Sequence, residues 1–431
     1  MSENSSAAQA PGQQSFHILA KPAGAACNLS CSYCFFLSKE ALYPHGSHLM
    51  DEETLETYIQ QLFAQSRGPE VQLAWQGGEP MLRGIEFYRR SVKLAEKYCT
   101  AQQRVAHVIQ TNGTLVDDEW ARFFKANNYL VGLSIDGPRE MHDAYRIDKS
   151  GSGTFDDVVR AWECLRRHDV DVNILCTVHR ANGDHGGDVY RFFRDGLGAQ
   201  YIQFIPIVER ATPATIVAAN RGWDGRHGSD RPLYRQEGDL VTERSVRPEQ
   251  FGSFLKEIFD TWIARDVGRV FVTTFDVALG SWVGQHRLCI VSPTCGRSLA
   301  LEHNGDVYSC DHYVEPEYLL GNIRDSHLAA LVTSEKQRRF GATKYDTLPG
   351  YCRQCPVLFA CYGECPRNRF IQTPDGEPGL NYLCAGYKAF FTHIAEPMTV
   401  MAWLIQHGRS AAEIVDMPAT VRASIARMQQ R

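Results

Sequence analysis

Fourteen cysteines in 431 residues constrain this chain more than any other feature. Eleven are grouped. Cys27, Cys31 and Cys34 form C-x3-C-x2-C. Cys289 and Cys295 form C-x5-C, followed by Cys310; Cys352, Cys355, Cys361 and Cys365 form C-x2-C-x5-C-x3-C, followed by Cys384. Cys99, Cys164 and Cys176 stand apart in apolar contexts, where cysteine serves as a small buried hydrophobe. The N-terminal stretch MSENSSAAQAPGQQS lacks the basic and apolar regions of a secretory signal. No run approaches the ~18 consecutive apolar residues of a membrane span. The expectation is a cytoplasmic protein with reduced thiols and no membrane partner. In that compartment grouped cysteines point to metal or catalysis and away from disulfides.

Apolar residues make up 44% of the chain and charged residues 22%, which excludes a long disordered protein or a collagen-like fibre. A net charge of −5 provides no basic field for gripping nucleic acid.

Along the first half, apolar runs at 16–20, 71–75, 105–110, 130–135, 172–178 and 201–207 alternate with amphipathic patterns at 51–64, 85–98, 117–126 and 155–167. Thr154 is placed to cap the last of these. Repeated βα units with nearly continuous apolar strands predict a parallel sheet covered by helices. Six units suit an α/β fold of the (β/α) barrel type, closed or partly open, with chemistry at the C-terminal ends of the strands. From 209 to 247 the pattern breaks into a Gly-, Arg- and Asp-rich insertion, read equally as a lid or as a solvated loop. A helix resumes at Pro248. The expected organisation is a disordered tail at 1–15, the barrel at 16–247 and a linking helix at 248–269. A small α+β cysteine-rich domain follows at 270–390, then C-terminal helices at 391–431.

The C-x3-C-x2-C loop directly follows the first strand, FHILAKP, at the catalytic mouth of such a barrel. A closed zinc site needs four ligands, so three cysteines would require a distant histidine. A [4Fe–4S] cluster on three thiolates instead keeps one iron open to a small molecule. The loop, with Tyr33 before its last cysteine, resembles the radical S-adenosylmethionine (SAM) superfamily. The partial (β/α)6 TIM-like form of the barrel is what this resemblance implies. The resemblance implies that the open iron chelates the amino and carboxylate groups of SAM, which one electron then cleaves to a 5′-deoxyadenosyl radical. Gln76-Gly77-Gly78-Glu79-Pro80 resembles the GGEP motif of that superfamily, in which backbone carbonyls meet the SAM amino group. Thr111-Asn112-Gly113 ends the third strand, and Ser134-Ile135-Asp136-Gly137-Pro138 ends the fourth, with Arg146 just beyond. Ser134 is suited to the ribose and Arg146 to the carboxylate. Tyr33, Gly78 and a position near Val208, through its backbone or apolar side chain, complete the expected SAM contacts.

Eight further cysteines suffice for two four-thiolate sites, with structural zinc as the alternative to iron–sulfur. Their order is similar to the SPASM-type domain with two auxiliary [4Fe–4S] clusters. That resemblance implies an interlocked pairing: Cys289, Cys295, Cys310 and Cys365 on one cluster, Cys352, Cys355, Cys361 and Cys384 on the other. The total would be three [4Fe–4S] clusters.

The stretches CNLSCSYCFF, WQGGEP, QTNGTL, VGLSIDGP and NGDVYSCDHYV look most like the anaerobic sulfatase-maturating enzymes. That family oxidises a Cys or Ser of an unfolded sulfatase segment to Cα-formylglycine. The resemblance implies an unfolded sulfatase polypeptide as substrate and a low-potential electron donor of flavodoxin or ferredoxin type. It makes Asp311, next to Cys310, the general base. Oxidising CH2–OH or CH2–SH removes two hydrogens and two electrons. The radical takes one hydrogen atom, a carboxylate can take the proton, and an adjacent cluster the electron. His312 reads as a packing or hydrogen-bonding residue. The competing reading is a related SPASM enzyme that forms a thioether or carbon–carbon cross-link in a ribosomal peptide.

Overall fold

In the computed structural model, residues 16–44, 48–66, 68–223 and 233–429 are described. The expected tail at 1–15 lies outside them. Six strands run parallel and in sequential order: β1 (His17–Ala20), β2 (Glu70–Trp75), β3 (Arg104–Thr111), β4 (Tyr129–Ser134), β5 (Asp171–Val178) and β6 (Tyr201–Pro206). β1 and β6 are not paired with each other, so the barrel is partial. Helices Glu52–Gln65, Ile85–Tyr98, Asp118–Ala126 and Phe155–Arg167 cover it, burying the apolar faces that the 3.6-residue period marks. Asp51 and Asp117 cap two of them by accepting from the backbone N–H groups of Thr54 and Trp120.

Thr154 does not cap its helix. Its hydroxyl donates back to the Arg146 carbonyl at 3.0 Å, and Asp143 instead accepts the first helical N–H, from Phe155, at 2.9 Å.

The cysteine-rich region adds strands to the barrel sheet itself. Ser298–Leu301 pairs parallel with β1, Asp306–Tyr308 pairs antiparallel with Ser298–Leu301, and Leu319–Asn322 pairs beyond it. Phe271–Val272 extends the opposite edge beside β6. The result is one ten-stranded sheet, with the barrel strands at its centre.

A helix at Pro248–Arg265 begins at the expected proline and packs against a long helix, Cys384–Gln406, which runs across the expected limit at 390. Their crossing requires glycine: a Cβ on Gly386 would lie 2.1 Å from the Pro248 carbonyl oxygen. Between 209 and 247 the described residues form a two-residue strand pair, Arg210–Ala211 with Leu240–Val241, and a short helix, Ile216–Arg221. A buried ion pair, Arg244 Nη2 to Glu209 Oε1 at 2.9 Å, ties the base of this insertion together. Its far side packs on the barrel: Tyr234 receives a hydrogen bond from Lys39 on its carbonyl and sits 6.1 Å from the Phe35 ring. No helix among the described residues is long and apolar enough to cross a membrane.

Candidate active site

The ends of the strands line a cavity that opens to solvent. Cys27, Cys31 and Cys34 line one side of it with Tyr33, Gly78, Ser134 and Arg146; Asp311, His312 and Arg367 line another. Residues far apart in sequence therefore meet at the C-terminal mouth of the sheet.

The cysteine loop is held by backbone. Gly78 N–H donates to the Gly24 carbonyl at 2.9 Å and Glu79 N–H to the Ala26 carbonyl at 2.8 Å. A Cβ on Gly78 would lie 2.1 Å from the Ala26 oxygen, closer than real contacts allow. Gly78→Ala is therefore expected to displace the cysteine loop. Weakened SAM binding, measured by equilibrium dialysis on the reconstituted protein, checks this, with wild-type affinity as the contrary result.

Glu79 is buried, and its carboxylate ties β2 to β3 by accepting from Thr111 Oγ1 at 2.9 Å and Asn112 N–H at 2.8 Å. Burial pushes it up to about 7. Asn112 reaches Cys27 Sγ at 3.7 Å, so the third strand end also touches the loop. Burial pushes the Cys27 and Cys34 thiols up and takes Cys31 to about 12, so these groups need a metal to become thiolates at neutral pH.

Asp136, fully buried, organises the other wall. It accepts from Tyr33 Oη at 2.6 Å, Arg146 Nε at 2.9 Å and Thr177 N–H at 2.8 Å. Burial alone would raise this carboxyl; the Arg146 guanidinium outweighs it and holds the group well below the usual carboxylate range. Tyr33 thus presents its ring, and not its hydroxyl, to the cavity. Arg146 arrives already paired on one edge. Ser134 Oγ accepts from Gln110 Nε2 at 3.0 Å. Val208 does not line the cavity: its side chain is 1% exposed within the main core, and Ile205, Pro206 and Ile207 form the wall instead. The alternation of side chains leaving β6 turns Ile207 toward Leu29, Cys31 and Tyr33 and its neighbour away.

None of the fourteen cysteines forms a disulfide. Burial raises the thiols of Cys289, Cys295, Cys310, Cys352, Cys361, Cys365 and Cys384, and repulsion from neighbouring groups adds to it. Cys310 is pushed further by Cys365 and Cys289, and Cys295 by Cys289. Cys361 is pushed up to about 12 by burial, Glu364, Cys384 and Cys352, while Cys384 reaches about 11 through burial, Cys352 and Cys355. The second group, Cys352, Cys355, Cys361 and Cys384, lines one small pocket walled by Val357, Leu358, Leu380 and Tyr387. Four unpaired thiols around one apolar cavity fit an iron–sulfur cluster. Between the two groups lies a further cavity touching Cys289, Cys361 and Cys365, which shares His312 and Arg367 with the first cavity. His312 Nδ1 lies 3.9 Å from Cys365 Sγ, and its ring packs edge-on against Phe35.

Sequence reasoning passed over three groups here. Lys21 and Glu302 each follow the last residue of a strand, a position where a buried charge is a signal. Arg367 lines both cavities and forms no ion pair with the described residues; its guanidinium lies 5.6 Å from the Phe35 ring centre.

Comparison with known proteins bears on this arrangement. The Radical SAM superfamily matches residues 22–193, and the SPASM iron–sulfur cluster-binding domain matches 289–356. A serine-type anaerobic sulfatase-maturating enzyme of Bacteroides thetaiotaomicron is 43% identical over 94% of this chain and 96% of its own length. The chain belongs to the anaerobic sulfatase-maturating enzymes. A cysteine-type member of this family, from Clostridium perfringens, is 33% identical over 87% of this chain and 95% of its own. Among solved structures, native anSMEcpe with bound AdoMet matches with a TM-score of 0.75 at 32% identity, over 90% of this chain and 99% of that one. The expected fold, a partial radical SAM barrel with a SPASM domain, is thus borne out. So is the expectation of a radical SAM oxidoreductase.

Proposed function

We propose that this chain oxidises a serine or cysteine of an unfolded sulfatase segment to Cα-formylglycine in the cytoplasm. The observation that carries this reading is the presence of Asp311 and the three-cysteine loop on the walls of one cavity. Cys27, Cys31 and Cys34 would hold a [4Fe–4S] cluster. Gly78, Ser134, Arg146 and the Tyr33 ring would shape the seat for SAM. Cys289, Cys295, Cys310 and Cys365 would hold one auxiliary [4Fe–4S] cluster, and Cys352, Cys355, Cys361 and Cys384 another, for three in all. When bound, the reduced cluster and SAM supply a 5′-deoxyadenosyl radical that takes one hydrogen atom from the substrate Cβ. Asp311 takes the proton from the substrate hydroxyl or thiol. Its chain neighbour Cys310 would be a ligand of the first auxiliary cluster, which would set an acceptor for the remaining electron beside the base. Serine then gives the aldehyde directly; cysteine gives a thioaldehyde that exchanges sulfur for water oxygen, releasing hydrogen sulfide. A flavodoxin- or ferredoxin-type protein would supply the electron that cleaves SAM.

The test is anaerobic turnover of paired peptides that differ only in Ser or Cys at the target position. The expected product has lost two hydrogens from Ser, or exchanged hydrogen sulfide for aldehyde oxygen from Cys, and reacts with a hydrazine probe. The serine-type relative is the more similar of the two types compared, so the Ser peptide is expected to turn over. A product that has lost two hydrogens yet resists hydrazine would make this a cross-linking enzyme.

A further inference from the structure

Asp311 does not stand alone on the cavity wall. Lys21 Nζ lies 3.0 Å from Asp311 Oδ1 and 3.0 Å from Glu302 Oε1, and all three side chains are buried. The strand register creates this arrangement. β1 and Ser298–Leu301 run parallel with Ala20 opposite Leu301, so the next residues on each strand, Lys21 and Glu302, leave the sheet side by side. The Lys21 N–H donates to the Leu301 carbonyl at 2.8 Å and fixes that exit. Asp311 arrives from the turn after Asp306–Tyr308, the next strand over.

Lys21 is closely surrounded. Its Cβ would meet a Cβ on Gly77 at 3.1 Å, and its ammonium lies 4.8 Å from the Phe36 ring centre. Lys21 meets Asp311 at Oδ1, a buried oxygen with no hydrogen bond from another described residue, which leaves Oδ2 as the oxygen for the cavity that Asp311 lines. Glu302 gives the ammonium a second anion. Lys21 therefore keeps a buried counter-charge whenever Asp311 turns its free oxygen to substrate, and the cost of an orphaned buried cation is avoided. Two carboxylates sharing one lysine make a fixed mount, with one of them offered to the site.

We infer that Lys21, anchored by Glu302, is a positioning residue that aims Asp311 Oδ2 at the substrate. The inference rests on the reading of Asp311 as the base. Lys21→Met, assayed as the reconstituted full chain, is expected to keep SAM cleavage and peptide KM. Formylglycine formed per 5′-deoxyadenosine should fall roughly 10²-fold, the scale on which misplacing a catalytic group costs rate. Lys21→Arg, which still reaches Asp311, is expected to recover most of that yield, a rescue that a filler of space would not show. Glu302→Gln should reproduce the uncoupling more weakly and serves as the test if Lys21→Met does not fold. An unchanged product ratio in Lys21→Met, or in Glu302→Gln where it replaces it, overturns the inference. Asp311→Asn run alongside separates the two readings: full product there removes the base itself, whereas uncoupling there without uncoupling at Lys21 removes only the positioning role.

Discussion

Cys27→Ala is expected to abolish SAM cleavage, bringing 5′-deoxyadenosine to background in an anaerobically reconstituted sample. The loop offers three thiols to the cavity, and no fourth cysteine lies on its wall to substitute. Cys27 is held in place at its sulfur: Leu29 N–H donates to it at 3.3 Å, and Asn112 approaches it at 3.7 Å. Alanine removes a ligand from a set already one short of closure, so the remaining two thiols hold iron weakly. Iron and sulfide content should drop by the share of one cluster, because the eight thiols of the cysteine-rich region are untouched. Cys99→Ala is the control. That thiol sits at the C-terminal end of a helix, donating to the carbonyls of Thr100 and Gln103, away from the cavity. Retained cleavage in Cys27→Ala would remove the assignment of this loop to the SAM cluster.

Asp311→Asn should separate the two halves of the reaction. SAM cleavage continues, because the cysteine loop and the Asp136–Arg146 wall are unchanged, while formylglycine per 5′-deoxyadenosine falls by roughly 10²–10⁴-fold, the usual worth of a positioned general base. Asparagine keeps the shape and can still meet Lys21 through its carbonyl oxygen. It cannot take a proton at neutral pH. The measurement is the ratio of the two products by mass spectrometry, with full formylglycine yield as the result that excludes Asp311. Both substitutions leave the fold-determining contacts of the sheet in place, so circular dichroism should match wild type.

Much of the barrel was written locally. The six apolar runs became β1 to β6 with bounds shifted by a residue or so, and the helices at Ile85–Tyr98, Phe155–Arg167 and Pro248–Arg265 begin where the pattern placed them. Caps at Asp51 and Asp117 belong to the same local chemistry. Thr154 shows the limit: its hydroxyl found a tertiary partner in the Arg146 carbonyl, and Asp143 took over the cap. The Val208 side chain lies in the core while Ile207 lines the wall, since a one-residue step beyond a strand end turns a side chain to the other face.

The sequence by itself determined the fold class, the division of cysteines into a loop of three and a region of eight, and the placement of the loop at a strand end. Periodicity and spacing are local properties, and those features depend only on them. Tertiary structure alone decided that the cysteine-rich region continues the barrel sheet through the pairing of β1 with Ser298–Leu301. That single register delivers Asp311 to the mouth of the barrel and sets Glu302 beside Lys21. Long-range strand pairing is chosen by the packing of the whole sheet, and no short window of sequence contains it.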